Sequence, residues 1–337
     1  MDNDSLSTIM KPSEFTLKAI RKIYIKTFGM PKVCLPQEKN RDVVSDIIYK
    51  FLADDKPCMI ARYGATELSM VVNYLGITTK THSIYRFIKG QEPEWWWNHN
   101  IMMQMQQWSG FFPPTEEKLS QFCRLMLDDA KEMDICGVFS SVEPLMRYVE
   151  PYMSSPLYVP LYTYSPFVST RPWSRILKGK KVLVIHPFAE LIVRQYQRRE
   201  QLFDNPDVLP EFDLKVIKAV QSLGGESNGF ADWFEALQYM KNEMDRTDYD
   251  ICLIGCGAYG FPLAAHAKRQ GKKAIHFGGE LQLLFGIKGS RWEDPLHAIK
   301  CGLPQDFYQK LFTNPAWVRP EEYKNAHSLK VENACYW

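Results

Sequence analysis

Gly255, Gly257 and Gly260 stand at the spacing G-x-G-x-x-G, between the apolar run Ile251–Ile254 and the helical pattern Phe261–Arg269. A strand, a glycine turn and a helix in that order turn main-chain N–H groups and a helix N-terminus toward an anion, so the chemistry on offer is binding of a phosphate or diphosphate. Tyr259 sits inside this turn. The same spacing also serves a tight turn that needs glycine for geometry alone. A second constellation, Arg62, Gly64, Thr66 and Glu67, follows the short apolar run Cys58–Ala61. Here a cation can neutralise an anion and a carboxylate can take a proton; alternatively Glu67 complements the dipole of the next helix and Arg62 pairs with it. His186 closes a third apolar run, Lys181–His186, and the helical segment behind it, Glu190–Leu202, carries Arg194. That pair suits an anionic group, or is a satisfied core histidine beside a solvated helix face. Gly278, Gly279 and Glu280 end a further short run, Lys273–Phe277.

These side chains work together only if strands bring them to one edge. Six short apolar runs read as strands: Cys58–Ala61, Asp134–Phe139, Lys181–His186, Leu214–Ala219, Ile251–Ile254 and Lys273–Phe277. Helical patterns alternate with them, at Asp42–Leu52, Leu68–Tyr74, Thr115–Lys131, Glu190–Leu202 and Phe230–Met244. Apolar strands alternating with helices predict an α/β fold, a Rossmann-like and mostly parallel sheet covered by helices on both faces. Leu145–Trp173, rich in proline and tyrosine, reads as an irregular excursion. A glycine-rich loop is expected at Gly224, Gly225 and Gly229, and residues 1–11 read as a polar, disordered start.

At 337 residues, 45% hydrophobic and 24% charged, the chain has material for a sizeable core. The expected organisation is a tail and amphipathic helix over 1–40, then a single α/β domain over 41–337. An aromatic and methionine-rich insertion around 85–114 (Trp95–Trp97, Met102, Met103, Met105, Trp108) reads as core packing, with an acceptor-binding role as the alternative. A net charge of +2 argues against a broad nucleic-acid-binding face. The eight cysteines include no C-x-x-C pair, so they read as reduced thiols of a cytoplasmic protein. Glu14–Phe28 sets Phe15, Leu17, Ile20, Ile23, Tyr24 and Phe28 against Lys18, Arg21, Lys22 and Lys26. Such a helix packs on its own domain or rests at the inner membrane surface as a peripheral contact.

The pair formed by Arg62-Tyr-Gly-Ala-Thr-Glu67 and Ile254-Gly-Cys-Gly-Ala-Tyr-Gly260, with Lys273-Ala-Ile-His-Phe-Gly278, resembles the GT-D-type glycosyltransferases over roughly residues 42–290. The resemblance implies an enzyme that moves a sugar from a nucleotide-diphospho-sugar to a glycan or lipid-linked acceptor in surface polysaccharide assembly. It implies donor contacts at Arg62, Gly64, Thr66, Arg194, Gly255, Gly257, Tyr259, Gly260, Gly278 and Gly279. Glu67, Glu280 and His186 are the candidate bases. One departure matters: the family's metal-binding Asp-x-Glu aligns with Ala65-Thr66-Glu67. Mn²⁺ or Mg²⁺ would be held through Glu67 alone, and otherwise cations such as Arg62 and Arg194 neutralise the diphosphate. Two other readings use the same turn: an NAD(P)-dependent oxidoreductase and a non-catalytic nucleotide-sugar-binding module. The first wants an acid at the end of the next strand, where His276 stands instead, with Glu280 beyond it.

Overall fold

The computed structural model describes residues 12–31, 33–222, 229–324 and Tyr336. The polar start, Gly224 and Gly225 lie outside these residues. The strands are β1 (Cys58–Arg62), β2 (Ile135–Val138), β3 (Leu157–Pro160), β4 (Lys181–His186), β5 (Asp213–Lys218), β6 (Ile251–Ile254) and β7 (Lys273–His276). They form one seven-stranded sheet in the order β3-β2-β1-β7-β6-β4-β5. Every pairing in it is parallel. Around it lie α1 (Pro12–Phe28), α2 (Arg41–Ala53), α3 (Ala65–Thr78), α4 (Ile84–Ile88), α5 (His99–Gln107), α6 (Glu116–Asp129) and α7 (Glu143–Val149). They are followed by α8 (Ala189–Tyr196), α9 (Trp233–Arg246), α10 (Gly260–Arg269), α11 (Leu281–Leu284), α12 (Pro295–Lys300) and α13 (Phe307–Phe312).

The strands are apolar throughout because both faces are covered. Met59, Ala61, Leu183, Ile185, Cys252 and Ile254 pack into one layer. Their alternates Cys58, Ile60, Val182, Val184, Ile251 and Leu253 pack into the other. Capping sets several helix starts, as at Asn40, whose side chain accepts from the amides of Asp42 and Val43, and at Thr115, which accepts from Lys118.

Two expectations need correction. The excursion after Leu145 contains a seventh strand, β3, paired with β2 at the sheet's edge. Pro156 before it and Pro160 at its end hide it in the sequence, yet an edge is where proline is tolerated. The helix expected over Glu190–Leu202 stops at Tyr196, leaving Arg199–Gln201 in a short 3-10 turn. The insertion is core packing in large part: Met102, Met105 and Phe111 are buried. Asn73 of α3 anchors it by donating to the carbonyls of Glu94 (3.1 Å) and Trp96 (2.8 Å).

Strand order also decides where a ligand can sit. β4 and β6 are neighbours, but the helices that follow them lie on opposite faces. Leu191 and Ile192 of α8 pack with Val182 and Val184, whereas Phe261, Leu263 and Ala264 of α10 pack with Leu183 and Cys252. The chain therefore leaves the sheet in opposite directions at the ends of β4 and β6, and such a switch point leaves a crevice at the carboxyl edge.

Candidate active site

That crevice is a cleft of about 640 Å³, counted with its open mouth, a size that takes a nucleotide-sized ligand (pockets run about 300–1,000 Å³). His186 from β4 and Gly255 and Gly257 after β6 supply its sheet edge. The insertion contributes Trp108 and Ser109, and Ser222 after β5 donates to the Gly110 carbonyl at 2.6 Å, closing one side. Arg62 reaches it from β1.

A smaller cavity of about 190 Å³ adjoins it, lined by Arg62, Gly64, Glu67, Gly257 and His276 among others. Arg62 and Gly257 line both spaces. The Arg62 guanidinium donates to the Tyr63 carbonyl at 3.2 Å and lies so close on Gly278 that a Cβ there would stand 2.1 Å from it. Gly278 is thus required twice, by this contact and by its φ of +73°. Glu67 folds back over Gly64, where a Cβ would meet its carboxylate at 1.8 Å. Arg62 and Glu67 form no ion pair, and among the described residues no carboxylate pairs with Arg62. His276 is fully enclosed and neither ring nitrogen makes a hydrogen bond of normal geometry. Burial and then the Arg62 charge pull its pKa well below the usual histidine range, while the Arg62 main chain opposes them.

The glycine turn is less available to a ligand than its spacing implies. The amide of Ala258 points to the Ser109 carbonyl (3.4 Å) and that of Tyr259 to Cys256 (3.3 Å), and Gly260 donates to Gly257. Three of the amides expected to meet a diphosphate are therefore engaged within the protein. Gly257 has φ of +57° and open space beside it, the nearest atom to an added Cβ being the Ser109 oxygen at 3.4 Å. At Gly260 a Cβ would strike the His276 ring at 2.3 Å, and at Gly255 the Gly278 carbonyl at 2.6 Å. Tyr259 stacks on Trp233 (4.9 Å between centroids, 7° between planes), with its hydroxyl 3.2 Å from that of Ser222. It is chiefly a packing residue of the cleft wall.

A family model described as a GT-D fold-like domain matches residues 39–284. The chain belongs to the GT-D fold-like family. Two solved structures are similar to it at a distance. One is a selenomethionine-substituted structure of domain of unknown function 1792, at 13% identity and a TM-score of 0.37. The other is described by the statement that this highly conserved domain has a distinct glycosyltransferase fold, at 12% identity and a TM-score of 0.38. Each alignment covers 79% of this chain and 82% of the other. No curated protein matches.

Against the GT-D-like pattern, Ala65 is exposed at the start of α3, where a second carboxylate would stand. Glu67 is the one carboxylate lining the small cavity, beside the Arg62 cation. Among the described residues no group of three or more His, Cys, Asp or Glu side chains is arranged to hold a metal ion. Glu67 is thus the one carboxylate this lining offers a divalent ion, whose shell would otherwise be made of water and phosphate oxygens.

The other expected residues divide. His186 lines the cleft, but its Nδ1 accepts the Phe188 amide at 3.0 Å and burial pulls its pKa down to about 3. A neutral ring bonded in that way carries its proton on Nε2, so it faces a ligand as a donor and cannot be the base. Glu280 lines neither cavity. Its Oε1 accepts from Ser165 Oγ at 2.6 Å, and burial pushes its pKa up to about 7 against the opposing effects of Ser165 and Arg62. Gly279 is on the cleft wall beneath the Tyr336 ring. Thr66 lines neither space. Arg194 lies exposed on α8, ion-paired with Glu322, and is not a cleft residue. Ser109 and Gln282, both lining the cleft, carry no sequence signal. His276 does carry one, as the residue at a strand end.

Proposed function

We propose that this GT-D-like chain is a glycosyltransferase, taking a nucleotide-diphospho-sugar in the larger cleft and a glycan or lipid-linked acceptor hydroxyl beside Glu67, in surface polysaccharide assembly. One observation carries the reading: Arg62, an arginine without a carboxylate partner among the described residues, lies between the cleft and the Glu67 cavity. In the reaction the acceptor oxygen forms the new bond to the sugar's anomeric carbon as the bond to the diphosphate breaks. The acceptor proton passes to Glu67, and the nucleoside diphosphate leaves with its charge against Arg62. His186 Nε2–H and the exposed backbone at Gly257 are further donors to that oxyanion.

With one carboxylate at the site, dependence of turnover on a divalent cation is expected to be weak or absent. EDTA treatment should leave the rate unchanged, and full restoration of a lost rate by Mn²⁺ would refute this. The broader test is a thermal-shift series with nucleotides. A specific ligand at a hundred times its Kd raises stability by roughly 2.7 kcal/mol. Stabilisation by UDP- or GDP-type ligands, lost in Arg62→Ala, supports the transferase. Stabilisation by NAD(P) alone would support the oxidoreductase, which Glu280, already bonded to Ser165, disfavours as a ribose ligand.

A further inference from the structure

Helix α1 sits on the domain through charged and apolar side chains together. Lys18 pairs with Glu94 at 2.9 Å, Arg21 donates to the Glu92 carbonyl at 3.0 Å, and the Arg21 guanidinium lies 4.5 Å over the Phe87 ring. Leu17, Tyr24 and Ile25 are half-buried. The outward side nonetheless carries four large apolar residues: Phe15 is 67% exposed, Ile23 68%, Ile20 43% and Phe28 72%. An amphipathic helix that only completed its own domain would present polar residues at those four positions. α4, packed against α1, extends the same character with Ile84 at 57% and Tyr85 at 66% exposure.

The charges beside these residues name the occupant. Lys22 and Lys26 are exposed on the outer side of α1 and make no ion pair among the described residues. Lys89 rests 4.1 Å over the Tyr85 ring at the end of α4. No acidic residue is exposed on α1, whose single carboxylate, Glu14, is half-buried. Phenylalanine and isoleucine set between lysines, on a helix lying flat on its domain, match an interfacial anchor: the rings enter the acyl boundary while the ammonium groups meet anionic headgroups. No helix of the described residues is long and apolar enough to cross a membrane. We infer that α1 and α4 together form a peripheral docking face for an anionic lipid surface. The face is separate from the Arg62 cleft, and its test reads binding alone, so it stands or falls apart from the proposed reaction.

The test is flotation of the full chain with vesicles of phosphatidylcholine, and with vesicles containing phosphatidylglycerol as well. The wild type is expected to float with the anionic vesicles at low salt and to be released by high salt. Two double variants, Phe15→Glu with Ile23→Glu and Lys22→Glu with Lys26→Glu, should each partition about tenfold less or weaker still. All four side chains are exposed, so an unchanged melting temperature checks that the fold is intact. Equal partition to neutral and anionic vesicles, or none to either, overturns the inference. So does a wild-type dimer in light scattering that the Phe15/Ile23 variant converts to monomer, because the face then covers a second copy.

Discussion

After β1 the chain enters α3 through Arg62, Tyr63 and Gly64, and after β6 it enters α10 through Gly255, Cys256 and Gly257. Both turns stand at the same edge of the sheet, and both look in sequence like places for an anion. They are built in opposite ways. At the β6 turn, Gly257 is needed for its positive φ and Gly255 and Gly260 for close packing, and the amides of residues 258–260 are satisfied by Ser109, Cys256 and Gly257. At the β1 turn, the side chains carry the chemistry: a cation that makes no ion pair among the described residues and a carboxylate held over glycine. A buried amide is nearly always satisfied somewhere, so a glycine pattern alone reports how the chain bends. An arginine held at a cleft outside any ion pair among the described residues is stronger evidence for an anionic ligand.

If the β1 turn carries the chemistry, the largest effect belongs to Glu67→Gln. The amide keeps the shape but cannot take a proton, so kcat should fall about 10²–10⁴-fold with donor affinity nearly unchanged. An equal loss of affinity and turnover would mean that Glu67 only organises its surroundings. Arg62→Ala comes next, with a loss of about 10²–10³ in kcat and loss of nucleotide stabilisation. A mutant that still binds the diphosphate would move the anion site to the glycine turn.

Acid stability tests the other side of the comparison, because His186 packs against Gly255. Its pKa falls from 6.5 in the unfolded chain to about 3 in the folded one. The unfolded state therefore binds the proton first, and this contribution is complete above pH 6.5 and is lost as pH drops toward about 3. The slope is roughly 1.4 kcal/mol per pH unit. Glu280, raised from 4.5 to about 7, acts oppositely, stabilising below pH 4.5 and losing that effect as pH rises toward 7. Chemical denaturation of wild type and His186→Gln across pH 4–8 isolates the histidine, since Glu280 is common to both. The variant should lack the acid-side loss, and parallel curves would place the acid sensitivity elsewhere. The smallest effects are expected at the glycines. Gly260→Ala must displace the His276 ring and should cost about 1–3 kcal/mol. Gly257→Ala meets open space and pays only for its left-handed backbone, about 1–2 kcal/mol. Loss of nucleotide binding in Gly257→Ala with a smaller fall in melting temperature than in Gly260→Ala would mark Gly257 as the point of ligand approach.

Much of the fold was legible because parallel strands buried on both faces are short unbroken apolar runs, as Val182–Ile185 and Ile251–Ile254 are. β3 was not, since a four-residue edge strand bounded by prolines has no such signature. In the site, Arg62 and Glu67 could be named from the strand end and helix start that flank them. The partners of Glu280 and Arg194 could not, because Ser165 and Glu322 are more than a hundred residues away along the chain.

Local sequence thus determined the parts: which segments are strands, where α3 and α10 begin, and which residues stand at strand ends. Strand order was decided only by the fold. It places β7 between β1 and β6, bringing Arg62 within reach of Gly257 and setting His276 behind Gly260. It also left Phe15, Ile20, Ile23 and Phe28 of α1 outward, because the Glu94 carboxylate and the Glu92 main-chain carbonyl sit where they can hold Lys18 and Arg21. Periodicity records which side of a helix is apolar. Which side is covered depends on the groups that lie against it, and those come from elsewhere in the chain.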